Sequence, residues 1–262
     1  MINVFAVNVK SLLKRRELIT TLVAKELKAR YRGSFLGMLW TFLNPLLLLL
    51  VYSLVFSVYM RVQVENYAVF MFVGLLPWIW FSSSLLEGVN AIVSSGSLIT
   101  KSMFPAEVLP MVKILSNLMN YIFSLPLLFI FMAVYGVPYK WTLIWLPVIM
   151  LSQLIFTVGL VYLLSSINVR YRDTQHILGN FITFWFFLCP ILYPISQTPE
   201  EWRFIFYFNP MALLSVSYQD IFINGHSPDP IHFAIPAIAG LIITFLGFYQ
   251  FDRFKETFAE DI

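Results

Sequence analysis

Between Leu36 and Tyr59 the chain carries no Asp, Glu, Lys, Arg or His. A run of this length is what a helix needs to cross a hydrocarbon core, about 20 residues at 1.5 Å each. Lipid offers the backbone no hydrogen-bond partners, so such a run must satisfy its own N–H and C=O groups as a helix. Comparable runs follow it. Of the 262 residues, 59% are hydrophobic and 12% charged, whereas a soluble domain has about a quarter of its residues charged. The sequence therefore describes an all-α membrane protein. Its net charge of +3 is too small to argue for a nucleic-acid partner.

Hydropathy places six spans, at about 36–59, 67–89, 109–134, 143–167, 177–193 and 231–251, in a transmembrane domain of residues 34–262. Pro45 should kink the first. The fifth is short, and Pro190 and Pro194 break its outer end. Residues 1–33 form an interface segment ahead of the spans. Within it, Val9, Leu12, Leu13, Ile19, Leu22, Val23 and Leu27 recur at helical spacing, with Lys and Arg between them. That pattern predicts one amphipathic helix over 8–30, lying among anionic headgroups or packed on a partner. Gly33-Ser34 breaks it. A cleavable signal peptide does not fit an apolar run that begins after roughly thirty mixed residues, so the first span is expected to serve as an uncleaved anchor.

Basic residues set the orientation. With the N-terminus in the cytoplasm, the inner segments hold Lys25, Arg30, Arg32, Lys101, Arg170 and Arg172 among many others. The outer segments hold Arg61, Lys140 and Arg203. Both termini are expected inside. Between spans five and six, Thr198-Pro199-Glu200-Glu201 and Asn209-Pro210 each read as a helix start, and Gly225 as a stop. Two short helices carrying Glu200, Glu201, Arg203 and Asp220 are expected there, as a re-entrant or interfacial outer hairpin.

Catalytic chemistry finds no support. Ser95-Gly96-Ser97-Leu98-Ile99-Thr100-Lys101-Ser102 lacks both glycines of a phosphate loop. Cys189 is the single cysteine, and His176, His226 and His232 are scattered, so neither a disulfide nor a zinc set is expected. Glu87 is the one acid inside an expected span; it lines a polar path, pairs with another group, or faces headgroups beside Asn90. Ile99, Met103 and Phe104 lie in an inner loop that could offer an apolar face to a partner. Arg170, Arg172 and Asp173 dock a partner, pair with each other, or anchor helix ends. Phe184 and Trp185 belong to an aromatic row that either faces lipid or lines a sugar path.

Several stretches, taken in order, carry a resemblance. They are Arg30-Tyr31-Arg32-Gly33-Ser34, Leu36-Gly37-Met38-Leu39-Trp40, Pro45-Leu46, Lys101 to Pro105, Arg170-Tyr171-Arg172-Asp173, and Asn209-Pro210. Over nearly its whole length the chain resembles the ABC-2 type permeases that export O-antigen and related lipid-linked polysaccharides. It departs from them at Tyr218-Gln219-Asp220, where relatives often carry a basic residue. The resemblance implies a homodimer joined to two separate nucleotide-binding subunits, which bind ATP and Mg while this chain binds no cofactor and no metal. It implies ATPase contacts in the Lys25–Gly33 region and the Ser94–Pro105 loop, at Lys25, Arg30, Arg32, Ile99, Lys101, Met103 and Phe104, and Arg170, Arg172 and Asp173 are the further coupling candidates. It also implies a channel or gate involving Trp40, Pro45, Glu87, Phe184, Trp185, Asn209 and Tyr218. Teichoic acid, capsule and small-molecule exporters of the same superfamily are rival expectations. A secondary carrier, or a transferase with paired acids at a membrane face, would belong to a different class.

Overall fold

The computed structural model describes the backbone of residues 2–102 and 104–258. Among them there are helices and turns but no strand. Five helices are long and apolar enough to cross a membrane: Gly37–Tyr59, Tyr67–Val89, Val108–Val134, Trp141–Arg170 and Pro230–Phe254. The chain is thus a multi-pass membrane protein. We label its α-helices α1 (Ile2–Lys14), α2 (Arg16–Arg30), α3 (Trp40–Ser53), α4 (Tyr67–Val89), α5 (Gly96–Ser102), α6 (Val108–Val134), α7 (Leu146–Arg170), α8 (Thr174–Phe187), α9 (Pro210–Gln219) and α10 (Pro230–Phe254).

The long helices alternate in direction as far as α7, and α10 runs parallel to α7, Thr244 bonding Ile155 and Gln250 bonding Ser166. Trp80 meets Tyr121 and Phe72 meets Phe131, so α6 runs antiparallel to α4. Gln153 bonds Pro77 and Asn168 bonds Val89, so α7 runs parallel to α4. The starts of α3 and α6 therefore share one face with the ends of α4, α7 and α10. Most of the basic residues lie there, and we call it the basic face.

The core sits around α4, which is buried on nearly every side. The most extensive helix contact joins α7 to α10. Glycine makes it possible. A Cβ on Gly159 would lie 2.7 Å from the Ile243 carbonyl carbon and meet the Thr244 nitrogen; a Cβ on Gly247 would lie 2.5 Å from the Gly159 oxygen. Small residues let membrane helices approach backbone to backbone, where dispersion and weak polar contacts replace the missing hydrophobic driving force. The Thr244 hydroxyl, which donates 2.7 Å to the Ile155 carbonyl, closes the crossing.

Three expectations are corrected. The amphipathic segment is two helices, bent at Arg15 (φ −98°, ψ 17°), because its apolar stripe follows two supports. α1 packs on α10 through Phe5 with Phe245 and Phe248, while α2 packs on α6. The stripe residues Leu12, Ile19 and Val23 are buried against protein, although Leu13 remains exposed. Second, the fifth expected span stops early. α8 has 14 residues, about 21 Å of helix against a hydrocarbon core of about 30 Å. Pro190 disfavours helix at Cys189, and the chain turns at Leu188 and runs outward instead. Third, the helix expected to start at Thr198 is a 3₁₀ segment, Glu200–Phe208, whose capping position is Pro199 with no side-chain cap.

Other local readings hold. Gly33 takes φ +79° in the turn after α2, and Gly225 takes φ +74° where the hairpin ends. Asn209 caps α9, its side chain accepting from the Ala212 N–H at 3.2 Å.

Candidate functional site at the basic face

Three ion pairs join the two N-terminal helices to the membrane helices. Arg15 pairs with Glu107 just ahead of α6, Lys113 of α6 pairs with Glu26 of α2, and Arg30 pairs with Glu87 of α4 at 2.6 Å. The Ser11 hydroxyl also donates to Glu107 at 3.1 Å, and the Tyr162 hydroxyl donates 2.5 Å to the Glu107 carbonyl. Asn117 completes the third pair, accepting from Arg30 at 3.0 Å and donating to Glu87 at 3.1 Å. The single acid within an expected span is thus a pairing residue. The Arg30–Glu87 side chains are 25% and 32% exposed, so neither charge is stranded in lipid.

The Arg30–Glu87 pair stands at the mouth of a crevice of about 120 Å³ between α2, α3, α4 and α6, which Arg30, Trp40, Pro45, Trp80, Asn117 and Tyr121 help to line. Pro45 cannot donate to the Thr41 carbonyl four residues earlier. The Ser124 hydroxyl approaches that carbonyl at 3.4 Å, and Thr41 donates 2.7 Å to the Tyr31 hydroxyl. The Trp40 indole donates 3.1 Å to Ser34 in the Gly33 turn. Tyr31 and Trp40 therefore tie the turn after α2 to the start of the first span.

The inner loops differ in how they present their residues. Ile99 is buried and Phe104 half-buried, so this chain covers them, and the exposed apolar side chain of α5 is Leu98. Met103 and the side chain of Lys101 lie outside the described residues. Lys25 is exposed on α2 and Arg32 in the turn that follows it. Arg170, Arg172 and Asp173 are exposed on a loop pinned by Asn168, which donates 3.2 Å to the Val89 carbonyl and accepts from the Gln175 N–H at 3.2 Å.

The remaining channel expectations fall on the hairpin. Phe184 is exposed on α8, but Trp185 is half-buried and donates 2.8 Å to Asn209. Trp185 also packs against Trp78 and Phe81, halfway along α4. The hairpin tip therefore dips to the level of mid-α4 and is re-entrant. Tyr218 faces the protein interior. It is fully buried, and its hydroxyl donates 2.9 Å to Gln153, which donates 2.8 Å to the Pro77 carbonyl. Sequence reasoning missed Gln153, Asn117 and Asn120. Their signal was visible as amides within apolar runs, two of them three residues apart on α6.

Asn209 also donates 3.1 Å to the Leu188 carbonyl and sits 3.6 Å from the Cys189 sulfur. Asn209→Ala removes an N-cap worth about 1 kcal/mol and leaves the Trp185 N–H unpaired at about 1–3 kcal/mol. Cys189 is fully buried, so a membrane-permeant maleimide is expected to label wild type slowly and Asn209→Ala at least tenfold faster.

A profile of the ABC-2 type transporter family matches residues 17–223. The chain is 46% identical over 256 residues to the O-antigen export system permease protein RfbA of Myxococcus xanthus, covering 97% of this chain and 98% of that protein. The chain belongs to the ABC-2 type transporter family. It is also 34% identical over 245 residues to the O-antigen export system permease protein RfbA of Klebsiella pneumoniae, covering 93% of this chain and 94% of the relative. Similarity to the polysialic acid transport protein KpsM of Escherichia coli is 23% over 239 residues. In this transporter-family chain the ion pairs link an amphipathic front to two membrane helices at once, α4 through Arg30 and α6 through Glu26.

Proposed function

We propose that this chain is the membrane subunit of an ATP-driven exporter that moves a lipid-linked polysaccharide outward across the cytoplasmic membrane. The observation that carries this reading is the near-full-length similarity to permeases named for O-antigen export. The basic face is cytoplasmic, as the distribution of Lys and Arg supports, and both termini lie there. Two copies pair, and each docks a nucleotide-binding subunit. ATP and Mg are held by that partner, and this chain contributes no catalytic group.

Closure of the ATPases pushes on α2, on α5 at Leu98, and on the loop carrying Arg170 and Arg172. The ion pairs pass the push to α4 and α6. α3 is the wall free to move: only 17% of its span window is buried. Its contact with α8 includes Tyr52 on Phe186 at 5.5 Å. The glycan path opens along α3 and α8, beside Phe184, with the re-entrant hairpin as the outer gate.

Leu98→Glu tests the docking surface. The variant is expected to fold, to lose copurification with the ATPase subunit in mild detergent, and to lose surface polysaccharide. Retention of both would exclude α5 as the contact. A wild-type chain whose deletion leaves surface polysaccharide unchanged would sink the export reading itself.

A further inference from the structure

Pro77 divides α4 into two halves with different neighbours. It has no N–H to give the Val73 carbonyl four residues earlier, so the helix ladder is interrupted where long helices kink. The half toward the basic face ends near Glu87, which Arg30 holds at 2.6 Å. The outer half carries the re-entrant hairpin. Tyr67 donates 2.8 Å to the Leu192 carbonyl, and a Cβ on Gly74 would lie 3.3 Å from the Ile191 side chain. α9 packs beside it, with every residue from Met211 to Gln219 buried.

One side chain joins the proline to the hairpin. Gln153 of α7 is 0% exposed. Its amide nitrogen donates 2.8 Å to the Pro77 carbonyl, and its amide oxygen accepts 2.9 Å from the Tyr218 hydroxyl of α9. Its neighbours on α9 bond inside the hairpin: Gln219 donates 2.6 Å to the Pro190 carbonyl, Ser215 to that of Met211 and Ser217 to that of Leu213. The Tyr218 ring stands edge-on to Tyr121 at 6.5 Å, which braces it from α6. Leucine would fill much the same space as Gln153 with no polar group to desolvate, so packing alone does not explain an amide here. One planar amide carries both bonds, so they cannot change independently. A bend of α4 at Pro77 either draws Tyr218 with it or breaks a bond, and a half-satisfied amide in a low-dielectric interior is unstable.

We infer that Gln153 is a positioning residue of the exporter, passing a displacement of α4 that begins at Arg30 and Glu87 to the re-entrant hairpin. This rests on the export reading and deepens it, by naming the route from the basic face to the outer gate. α2 moves Glu87, α4 bends at Pro77, and the amide shifts Tyr218 and with it α9. Gln219 carries the shift to Pro190, next to Cys189 at the turn out of α8. Gln153 touches no glycan; it acts through Tyr218.

Cys189, the single cysteine and fully buried, reports the position of the hairpin. The complex with its ATPase subunit is placed in lipid vesicles and labelled with a membrane-permeant maleimide, with and without ATP. In wild type ATP is expected to raise the labelling rate about tenfold, as the open population grows. In Gln153→Leu the rate is expected to be the same with and without ATP, while ATPase copurification and monodisperse elution are kept. Tyr218→Phe removes only the hydroxyl; it is expected to cut the ATP response about threefold, and it carries the test should Gln153→Leu misfold. Thr244→Val removes a different hydrogen bond to α7, of 2.7 Å. It is expected to keep the wild-type response, which separates positioning from a simple loss of stability. A full ATP response in either monodisperse relay variant, or a response lost equally in Thr244→Val, overturns the inference while the export reading stands. A wild-type Cys189 indifferent to ATP in cells that do export polysaccharide overturns the gate and the relay together. Cells in which the intact chain exports no polysaccharide would overturn the functional reading first, and the relay with it.

Discussion

Gly159→Val is expected to abolish recovery of monodisperse protein. The position is closed on the far side by backbone, not by a side chain that could swing away. An added Cβ would already lie 2.7 Å from the Ile243 carbonyl carbon, and valine adds two methyl groups. The overpacking cost in a core is typically about 1–3 kcal/mol. Here it is larger, because relief requires moving α10 off α7 along their most extensive contact. That movement also breaks the Thr244–Ile155 hydrogen bond of 2.7 Å. In lipid the separated surfaces gain no compensating hydration, but they lose the dispersion contacts that held them. Size-exclusion elution of a fluorescent fusion measures the outcome. Gly179→Ala is the matched control: its Cβ would meet only a Leu86 methyl at 4.0 Å, and it is expected to elute like wild type. A monodisperse Gly159→Val peak would show that the crossing is not required.

Glu87→Ala is expected to lower export at least tenfold. The substitution strips Arg30 of its carboxylate and leaves Asn117 with one fewer acceptor. Exposed pairs contribute about 0–1 kcal/mol, and breaking a fully buried one costs about 3–5 kcal/mol. With side chains 25% and 32% exposed, the loss here is about 2 kcal/mol, placed between those limits. The consequence for transport is mechanical. α2 keeps its Glu26–Lys113 pair to α6 but loses its tie to α4. The double variant Arg30→Glu with Glu87→Arg restores opposite charges, and it is expected to recover a substantial part of export where each single reversal does not. If the double reversal performs no better than the singles, the pair does not transmit the push. Surface polysaccharide and ATPase copurification, measured on the same cells, separate lost transmission from lost docking.

Among the local readings, the Asn209-Pro210 start and the Gly225 stop held, whereas the Thr198-Pro199 start did not. An Asn-Pro pair carries its own cap chemistry, and a glycine with positive φ marks a stop wherever it occurs, so Asn209 and Gly225 announced the hairpin without knowledge of its neighbours. The bend at Arg15 has no such marker. No proline or glycine stands there, and the break arises because α1 and α2 lie on different helices. The stretch 177–193 was equally opaque in the other direction. Its composition is that of a span, but the turn at Leu188 depends on Pro190, whose carbonyl accepts 2.6 Å from Gln219, and on Leu192, whose carbonyl accepts 2.8 Å from Tyr67. The coupling face was legible as a region and illegible as a surface. Leu98 and Ile99 are adjacent apolar residues, and only packing decides which one faces outward.

The sequence by itself determined that this chain is helical and embedded in a membrane. Apolar runs such as Leu36 to Tyr59 leave the backbone no other way to satisfy its hydrogen bonds. It also determined the family, because ordered motifs survive as residues whatever their contacts. Tertiary structure alone decided the partners of the polar side chains. Glu87 finds Arg30, Gln153 finds Tyr218, and Trp80 with Asn120 finds no one. In a low-dielectric bundle each buried polar group must find a partner or a ligand, and those partners come from helices far apart in the chain. Hydropathy places a helix in the bilayer, but it does not fix the rotation or depth at which one amide meets another.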